Sequence, residues 1–190
     1  MKRFAAALAV ALLACLGSMQ AMAGTPITPV DHVDLSRYMG RWYVVGFIPT
    51  DYGKHAYNMV ETYRQMKNGE ICTSLWFRNG GFDGEVKTKH DTASVQSGSG
   101  HAVWSVHVFW FIHAQYIVAW LAPDYSQVIV ARDKRDYVWL MARQPQVSDA
   151  DYRAMRGRVK AMGYDVSRLR RVPQKWPTAG PLPEFEQSCD

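Results

Sequence analysis

Glu61 is the side chain of this sequence best suited to take part in ligand binding or in a reaction. It shares one face of a predicted strand with Met59 and Tyr63, because side chains two residues apart in a strand point the same way. If that face is buried, the carboxyl group requires a partner or a raised pKa, and it could then hydrogen-bond the head group of a ligand. A glutamate near a rim that water reaches is equally compatible with the sequence.

Metal and nucleophile chemistry find little support. The histidines that follow the first strand show no i,i+4 helical spacing and no cysteine partner, so the sequence predicts no metal site. They are His55, His90, His101, His107 and His113. The chain also lacks a Gly-x-Ser-x-Gly motif, a phosphate loop and a His-Glu-x-x-His motif. We therefore predict no catalytic residue and no cofactor, and the protein is not expected to be an enzyme.

The first residues have the composition of an export signal. A basic start at Lys2 and Arg3 precedes an apolar stretch, and Ala21-Met22-Ala23 has the small-x-small form of a cleavage site. This predicts a signal peptide over residues 1–23. The alternative is lipoprotein processing, which would leave Cys15 acylated and associate the protein with a membrane.

The cysteines predict one disulfide. If processing removes Cys15 from the pool, Cys72 and Cys189 remain, and an even pair in an exported chain implies a bond between them. Such a bond would attach the C-terminal tail to a strand.

Charge and composition indicate one globular domain that does not bind nucleic acid. The 190 residues are 48% hydrophobic and 13% aromatic, enough for one well-filled core. Removal of Lys2 and Arg3 lowers the formal charge from +5 to +3, because residues 1–23 contain no acidic side chain. That excess is too small to suggest nucleic acid binding.

Alternating segments separated by turn residues predict eight antiparallel strands in up-and-down order, a pattern that suits a closed barrel. Asn68-Gly69 is the strongest hairpin signal. In the strand 101–111, Trp104, Val106 and Val108 share one face opposite Ser105 and His107, so we expect these three to point inward. Trp120, in the predicted strand 115–121, is another candidate for the interior.

One helix is predicted after the last strand. Ser148 and Asp151 have capping-box spacing, apolar side chains recur at helical period from Tyr152 to Met162, and Gly163 provides the stop. We expect this helix to pack on the outer wall of the barrel, within a domain over residues 24–173. The Pro- and Gly-rich residues 174–190 are predicted to form an extended tail.

Three motifs resemble those of the lipocalins. They are Gly40-x-Trp42 at the first strand, Asp124-Tyr125 between the sixth and seventh strands, and Arg143 at the end of the eighth. Within that family, Arg41-Trp42-Tyr43, the segment 137–145 and the helix start 147–149 are similar to the bacterial outer-membrane lipocalins and to apolipoprotein D.

The resemblance implies an all-β fold, an eight-stranded lipocalin-like barrel closed at one end. It implies that Trp42 and Arg143 seal that end, and that Trp139 and Met141 face a cavity. Alternation alone does not show whether Trp139 and Met141 lie on the inward or the outward face of their strand. The implied ligand is a small hydrophobic molecule, often a fatty acid or lysophospholipid. The implied location is the periplasm or the outer membrane. The oligomeric state stays open between a monomer and a homodimer.

We therefore expect an exported lipid-binding protein that carries, stores or sequesters its ligand. Two alternatives remain open on the sequence. One is an enzyme on the same barrel that modifies a lipid or isoprenoid, for which Glu61 is the only reactive candidate. The other is an envelope interaction protein whose barrel is filled by its own side chains.

Overall fold

The computed structural model describes residues 24–50, 52–109, 111–177 and 188–189. The predicted signal peptide, which includes Cys15, lies outside the described residues. Residues 178–187 and 190 of the predicted tail lie outside them as well.

Eight strands form a closed antiparallel barrel, which confirms the predicted fold. Each strand pairs with the next along the chain, and β1 pairs with both β8 and β2, so the sheet closes on itself. The strands of the barrel are β1 (Gly40–Phe47), β2 (Ala56–Gln65), β3 (Ile71–Asn79), β4 (Glu85–Val95), β5 (Val103–Phe109), β6 (Ile112–Leu121), β7 (Gln127–Ala131) and β8 (Trp139–Ala142).

Up-and-down order places alternate connections at opposite ends of the barrel. The β2–β3, β4–β5 and β6–β7 turns lie at one end with the start of β1, and we call this the closed end. The remaining connections lie at the other, open end. The Asn68-Gly69 turn belongs to the closed end, and Gly69 has the positive φ, 87°, that this turn requires.

Two short elements differ from the sequence prediction. Leu35–Tyr38 forms helix α1, which was not predicted from the sequence, and the amides of Ser36 and Arg37 at its N-terminus donate to the Asp34 carboxylate. After the second helix, Arg170–Arg171 form a short strand, β9, which pairs with Gly46 and Phe47 outside the barrel. The alternation signal needs more residues than a two-residue strand contains, so β9 could not be predicted.

Helix α2 (Asp149–Ala161) packs on the outer wall as predicted. Ser148 caps it by accepting from the Asp151 amide at 3.0 Å, and the Ser148 hydroxyl donates to the Asp151 carboxylate at 2.6 Å. Met155 and Val159 are buried against the outward side chains of the barrel strands. None of the helices in the described ranges has the length and apolar composition of a membrane span.

The first residues of the tail, 174–177, run along the outside of β1 and β2. Gln174 donates from its amide to the carbonyl oxygens of Val44 and Met59, at 2.8 and 3.0 Å, and so bridges the two strands. These contacts lie beyond the Gly40–Tyr43 segment where β1 pairs directly with β2. The predicted disulfide between Cys72 and Cys189 is present, with Cα atoms 5.6 Å apart.

Candidate ligand-binding site

Trp42 and Arg143 close one end of the barrel. The indole of Trp42 is fully buried, its Nε1 donates to the Tyr38 carbonyl at 2.8 Å, and the guanidinium carbon of Arg143 lies 3.8 Å from its ring centroid. This distance suits a cation–π contact. The guanidinium also donates to the carbonyl oxygens of Arg37, Tyr38, Met39 and Arg41. The cation is thereby held over the indole, and the start of β1 is fixed to the end of β8.

The other two motifs lie at the same end. Gly40 has a φ of 86°, a conformation that a side chain would strain, where the chain turns from α1 into β1. Asp124 accepts from the Ser126 hydroxyl and amide, which stabilises the β6–β7 turn and lowers the pKa of the Asp124 carboxyl. Tyr125 accepts from the Asp34 amide at 2.9 Å.

A cluster of aromatic side chains fills the barrel above the closed end. Trp104 stacks on Tyr116 with ring centroids 4.5 Å apart and meets Tyr38 and Tyr63 edge to face. The tyrosine hydroxyls form a chain. Tyr116 donates to Tyr63 at 2.8 Å, and since its one proton is used there, Tyr38 donates to Tyr116 at 2.6 Å. We call this cluster, formed by Tyr38, Tyr63, Trp104 and Tyr116, the floor.

Above this floor the barrel contains a cavity of about 480 Å³, within the usual range for small-molecule sites. Its wall is mostly apolar and aromatic. The apolar and aromatic side chains that line it are Phe47, Ile48, Tyr52, Met59, Leu75, Val106, Val108, Ile112, Ala114, Tyr116, Val130, Tyr137 and Trp139. Such a cavity can bury an apolar molecule of moderate size.

Glu61 lies in the cavity wall, low in the barrel. It pairs across the sheet with Trp42 on β1 and with Leu75 on β3, both of which are buried inside. Only 4% of Glu61 is exposed, and its Oε2 atom is buried without a hydrogen-bond partner. Burial raises the pKa of this carboxyl well above its usual value, the negative charge of Asp91 raises it further, and Lys89 acts in the opposite direction.

Charged side chains also line the cavity. Lys89 and Asp91 on β4 point inward and form an ion pair with each other. Arg132 and Lys134 follow β7 at the open end, and Arg132 is ion-paired at 3.2 Å with Asp136. The cations of the wall, Lys89, Arg132 and Lys134, outnumber its carboxylates, Glu61 and Asp91, so the mouth of the cavity favours an anionic group.

The predicted ligand contacts other than Trp120 divide into two groups. Val106, Val108, Trp139 and Glu61 line the cavity. Two others point inward as expected but do not line it, which corrects their prediction as ligand contacts: Trp104 belongs to the floor, and Met141 is buried beneath, where its sulfur accepts from Tyr63. Depth in the barrel separates these groups, and alternation along a strand carries no information on depth.

The prediction that Trp120 faces the interior is wrong. The register of β6 against β7 shifts between Val118, which pairs with Val130, and Trp120, which pairs with Ile129. This β-bulge changes the face on which the following side chains lie. Trp120 consequently lies outside the barrel near α2, with the guanidinium carbon of Arg158 4.4 Å from its ring centroid.

The sequence interpretation missed several wall residues. Lys89 and Asp91 lie in a polar stretch of the sequence that gives no sign of an inward face, yet their strand partners Leu75 and Thr73 face the cavity. The register set by the Asn68-Gly69 hairpin could have placed β3, whereas the longer β3–β4 connection, residues 80–84, does not fix the register of β4 from the sequence. Among the described residues, no group of three or more histidine, cysteine or acidic side chains is arranged to hold a metal.

Comparison with known proteins agrees with this geometry. Residues 33–174 match the lipocalin-like domain. The chain is 27% identical over 173 residues to the outer membrane lipoprotein Blc of Vibrio cholerae, with 88% of this chain and 99% of that protein covered. It is 25% identical over 151 residues to temperature-induced lipocalin-1 of Arabidopsis thaliana, with 76% and 81% covered.

Solved structures show the same fold at low sequence identity. Insecticyanin from the tobacco hornworm Manduca sexta superposes with a TM-score of 0.59 at 13% identity, with 80% of this chain and 85% of that chain covered. Apocrustacyanin C2 gives a TM-score of 0.58, also at 13% identity, with 75% and 80% covered. The chain therefore belongs to the lipocalin family, whose members typically bind or transport small hydrophobic molecules and are not enzymes.

Proposed function

We propose that this protein binds an amphiphile of the fatty acid or lysophospholipid class in its barrel and carries, stores or sequesters it. The observation that supports the proposal is the cavity itself. It has an apolar wall, and Arg132 and Lys134 lie at its mouth. An acyl chain fits the wall, and a carboxylate or phosphate fits the mouth.

Burial of the acyl chain supplies the binding free energy. Each CH₂ group removed from water contributes about 0.8 kcal/mol, so eight to twelve methylenes contribute roughly 6 to 10 kcal/mol before the costs of association. Affinity should therefore rise with chain length until the cavity is full. A short-chain acid buries too little apolar surface to bind.

Calorimetric titration of the delipidated protein tests the proposal. Dodecanoic or hexadecanoic acid and a lysophospholipid should bind saturably, whereas butanoic acid should not. Absence of binding by any long-chain lipid would defeat the carrier function. Mass spectrometry of protein extracted under native conditions identifies a ligand that copurifies.

The position of the head group can be tested separately. Lys134→Glu should weaken binding of a long-chain carboxylate because it places a negative charge at the mouth. Lys160→Glu makes the same charge change on the exposed face of α2 and is the matched control. Equal affinities of the two variants would place the carboxylate elsewhere.

We also propose export to the cell envelope. The signal-like composition of residues 1–23 supports it, as does the similarity to a protein named as an outer membrane lipoprotein. Mass spectrometry of the mature N-terminus distinguishes the routes: a chain that begins at Gly24 indicates cleavage after Ala23, and an acylated Cys15 indicates a lipid anchor. Recovery of the full-length chain from the cytoplasm would contradict export.

A further inference from the structure

Glu61 presents a hydrogen-bonding group that the protein leaves unused. It is nine-tenths or more buried, it lines the cavity, and Oε2 has no partner among the described residues. A buried polar atom without a hydrogen bond costs about 1 to 3 kcal/mol. Because a Leu at this position would fill the wall without that cost, the carboxyl group calls for a partner that the apolar wall does not provide.

The tyrosines below Glu61 are not that partner. The protons of Tyr38 and Tyr116 are used within their own hydroxyl chain, and that of Tyr63 is directed to the Met141 sulfur at 4.0 Å. No hydroxyl proton of this floor is left for the carboxyl above it. The hydrogen bonds of the floor therefore do not involve Glu61.

The groups on the neighbouring strands do not neutralise Glu61 either. Lys89 and Asp91 on β4 are paired with each other, and Thr73 and Leu75 on β3 separate them from Glu61. Tyr38, Tyr63 and Tyr137 also face its carboxyl group, and burial raises the pKa of each of their hydroxyls, so they remain uncharged. Glu61 therefore lies in an environment that favours its protonated form.

A protonated carboxyl offers one O–H donor. A ligand carboxylate or ammonium brought to this depth would lose its hydration, and the nearest charges, those of Lys89 and Asp91, are already paired with each other. An uncharged oxygen, in a hydroxyl or carbonyl group, avoids this desolvation cost and accepts the proton of Glu61.

On the basis of the proposed function, we infer that the ligand is polar at both ends. Its anionic head lies at the mouth near Lys134, and a hydroxyl or carbonyl oxygen near its buried end accepts a hydrogen bond from Glu61. The chemical class is an acyl amphiphile that is oxygenated toward its distal end. Glu61 is the residue that selects it over the unsubstituted chain.

Matched pairs of ligands test this inference. The probes are dodecanoic acid and 12-hydroxydodecanoic acid, with hexadecanoic acid and 16-hydroxyhexadecanoic acid as a second length. By calorimetry at neutral pH, the parent protein should bind one of the hydroxy acids about three- to tenfold more tightly than its unsubstituted partner, the factor expected for one hydrogen bond. Preference for the unsubstituted acid at both lengths would overturn the inference.

Substitutions at Glu61 identify the donor. Glu61→Leu should abolish or reverse the preference, because the hydroxyl would then be buried without a partner. Glu61→Gln should keep it, because the amide also donates. Thr73→Val removes another polar group of the cavity wall and is the matched control, for which the preference should persist. A preference that survives Glu61→Leu would show that Glu61 is not the donor.

The pH dependence provides a second readout, and its measurement on the parent does not require any variant to fold. The ratio of the two affinities cancels the titration of the shared carboxylate of the probes. In the parent, this ratio should fall toward one as Glu61 ionises at high pH, whereas in Glu61→Gln it should stay constant. If the parent binds none of the four acids and no lysophospholipid, the proposed function fails as well; if it binds both acids of each pair equally, only the present inference fails.

Discussion

The guanidinium carbon of Arg143 lies 3.8 Å from the ring centroid of Trp42, across a separation of about a hundred residues. This contact joins the last barrel strand to the first at the closed end. The same guanidinium donates to carbonyl oxygens of α1 and the start of β1, so removal of the side chain would leave those carbonyls without their partner.

We predict that Trp42→Ala lowers the free energy of unfolding by about 3 to 5 kcal/mol, the usual cost of a large truncation in a core. Arg143→Ala should cost less, because part of its guanidinium is already solvated. Denaturant unfolding measures both, and calorimetry should show that the choice among ligands is unchanged. Arg64→Ala, at an exposed position of β2, is the control. Unfolding of either variant at the parent's midpoint would contradict the assigned role of the closed end.

A pair of tryptophan variants tests the location of the ligand. Trp139→Ala should weaken binding of a long-chain fatty acid roughly tenfold, about 1.4 kcal/mol, because the ligand loses apolar contact in the cavity wall. Trp120→Ala makes the same truncation outside the barrel near α2 and should leave the affinity unchanged. Calorimetric titration of the two variants beside the parent gives the comparison. The reverse pattern would place the ligand outside the barrel.

The buried carboxyl of Glu61 should make stability depend on pH. Its folded pKa is raised above the unfolded value, so between those two values the folded protein keeps a proton that the unfolded chain releases. Stability therefore falls as pH rises through this window. Glu61→Gln removes this loss, and its stability relative to the parent should increase by up to about 1.4 kcal/mol per pH unit within the window.

Urea unfolding at about pH 5 and about pH 8 measures this difference. Glu85→Gln replaces an exposed glutamate on β4 and should follow the parent at both values. Parallel pH profiles of the parent and Glu61→Gln would show that Glu61 has an ordinary carboxyl environment.

The Cys72–Cys189 disulfide should contribute to stability through the unfolded state. It joins residues 117 apart, and closure of so long a loop is expected to contribute about 4 to 5 kcal/mol on the chain-entropy model. Cys189→Ser, or reduction of the parent, should lower the free energy of unfolding by up to this amount. Denaturant titrations measure the change. Cys72→Ser should match Cys189→Ser. Thiol labelling of both residues in denatured, unreduced protein would show that the bond is absent.

Local sequence patterns predicted the elements well because each pattern has a local physical cause. Alternation around Trp104, Val106 and Val108 gave the correct inward face, since successive side chains of a strand point to opposite sides. The capping residue Ser148 marked the start of α2 for a similar reason, because a helix leaves its first amides unpaired. The even pair of cysteines behind a signal-like N-terminus predicted the disulfide.

Local sequence patterns could not predict which side chains line the cavity. Val106 and Trp104 share one face of β5, yet one lines the cavity and the other fills the floor, because strand tilt sets their depth. Lys89 and Asp91 look like a solvated strand in sequence and become wall residues only through pairing with β3. For Trp120, a single bulge in β6 reversed the expected face.

The sequence by itself therefore determined the strand order, the inward face of β5 and the disulfide pair, and the resemblance to the lipocalins indicated the residues of the closed end. Those features depend on spacing along the chain, which the sequence records directly. Only the tertiary structure decided which inward side chains border empty space, and that Glu61 is among them with an unpartnered carboxyl oxygen. Depth in a barrel and cross-strand register depend on how all eight strands close together, and no local pattern encodes that closure.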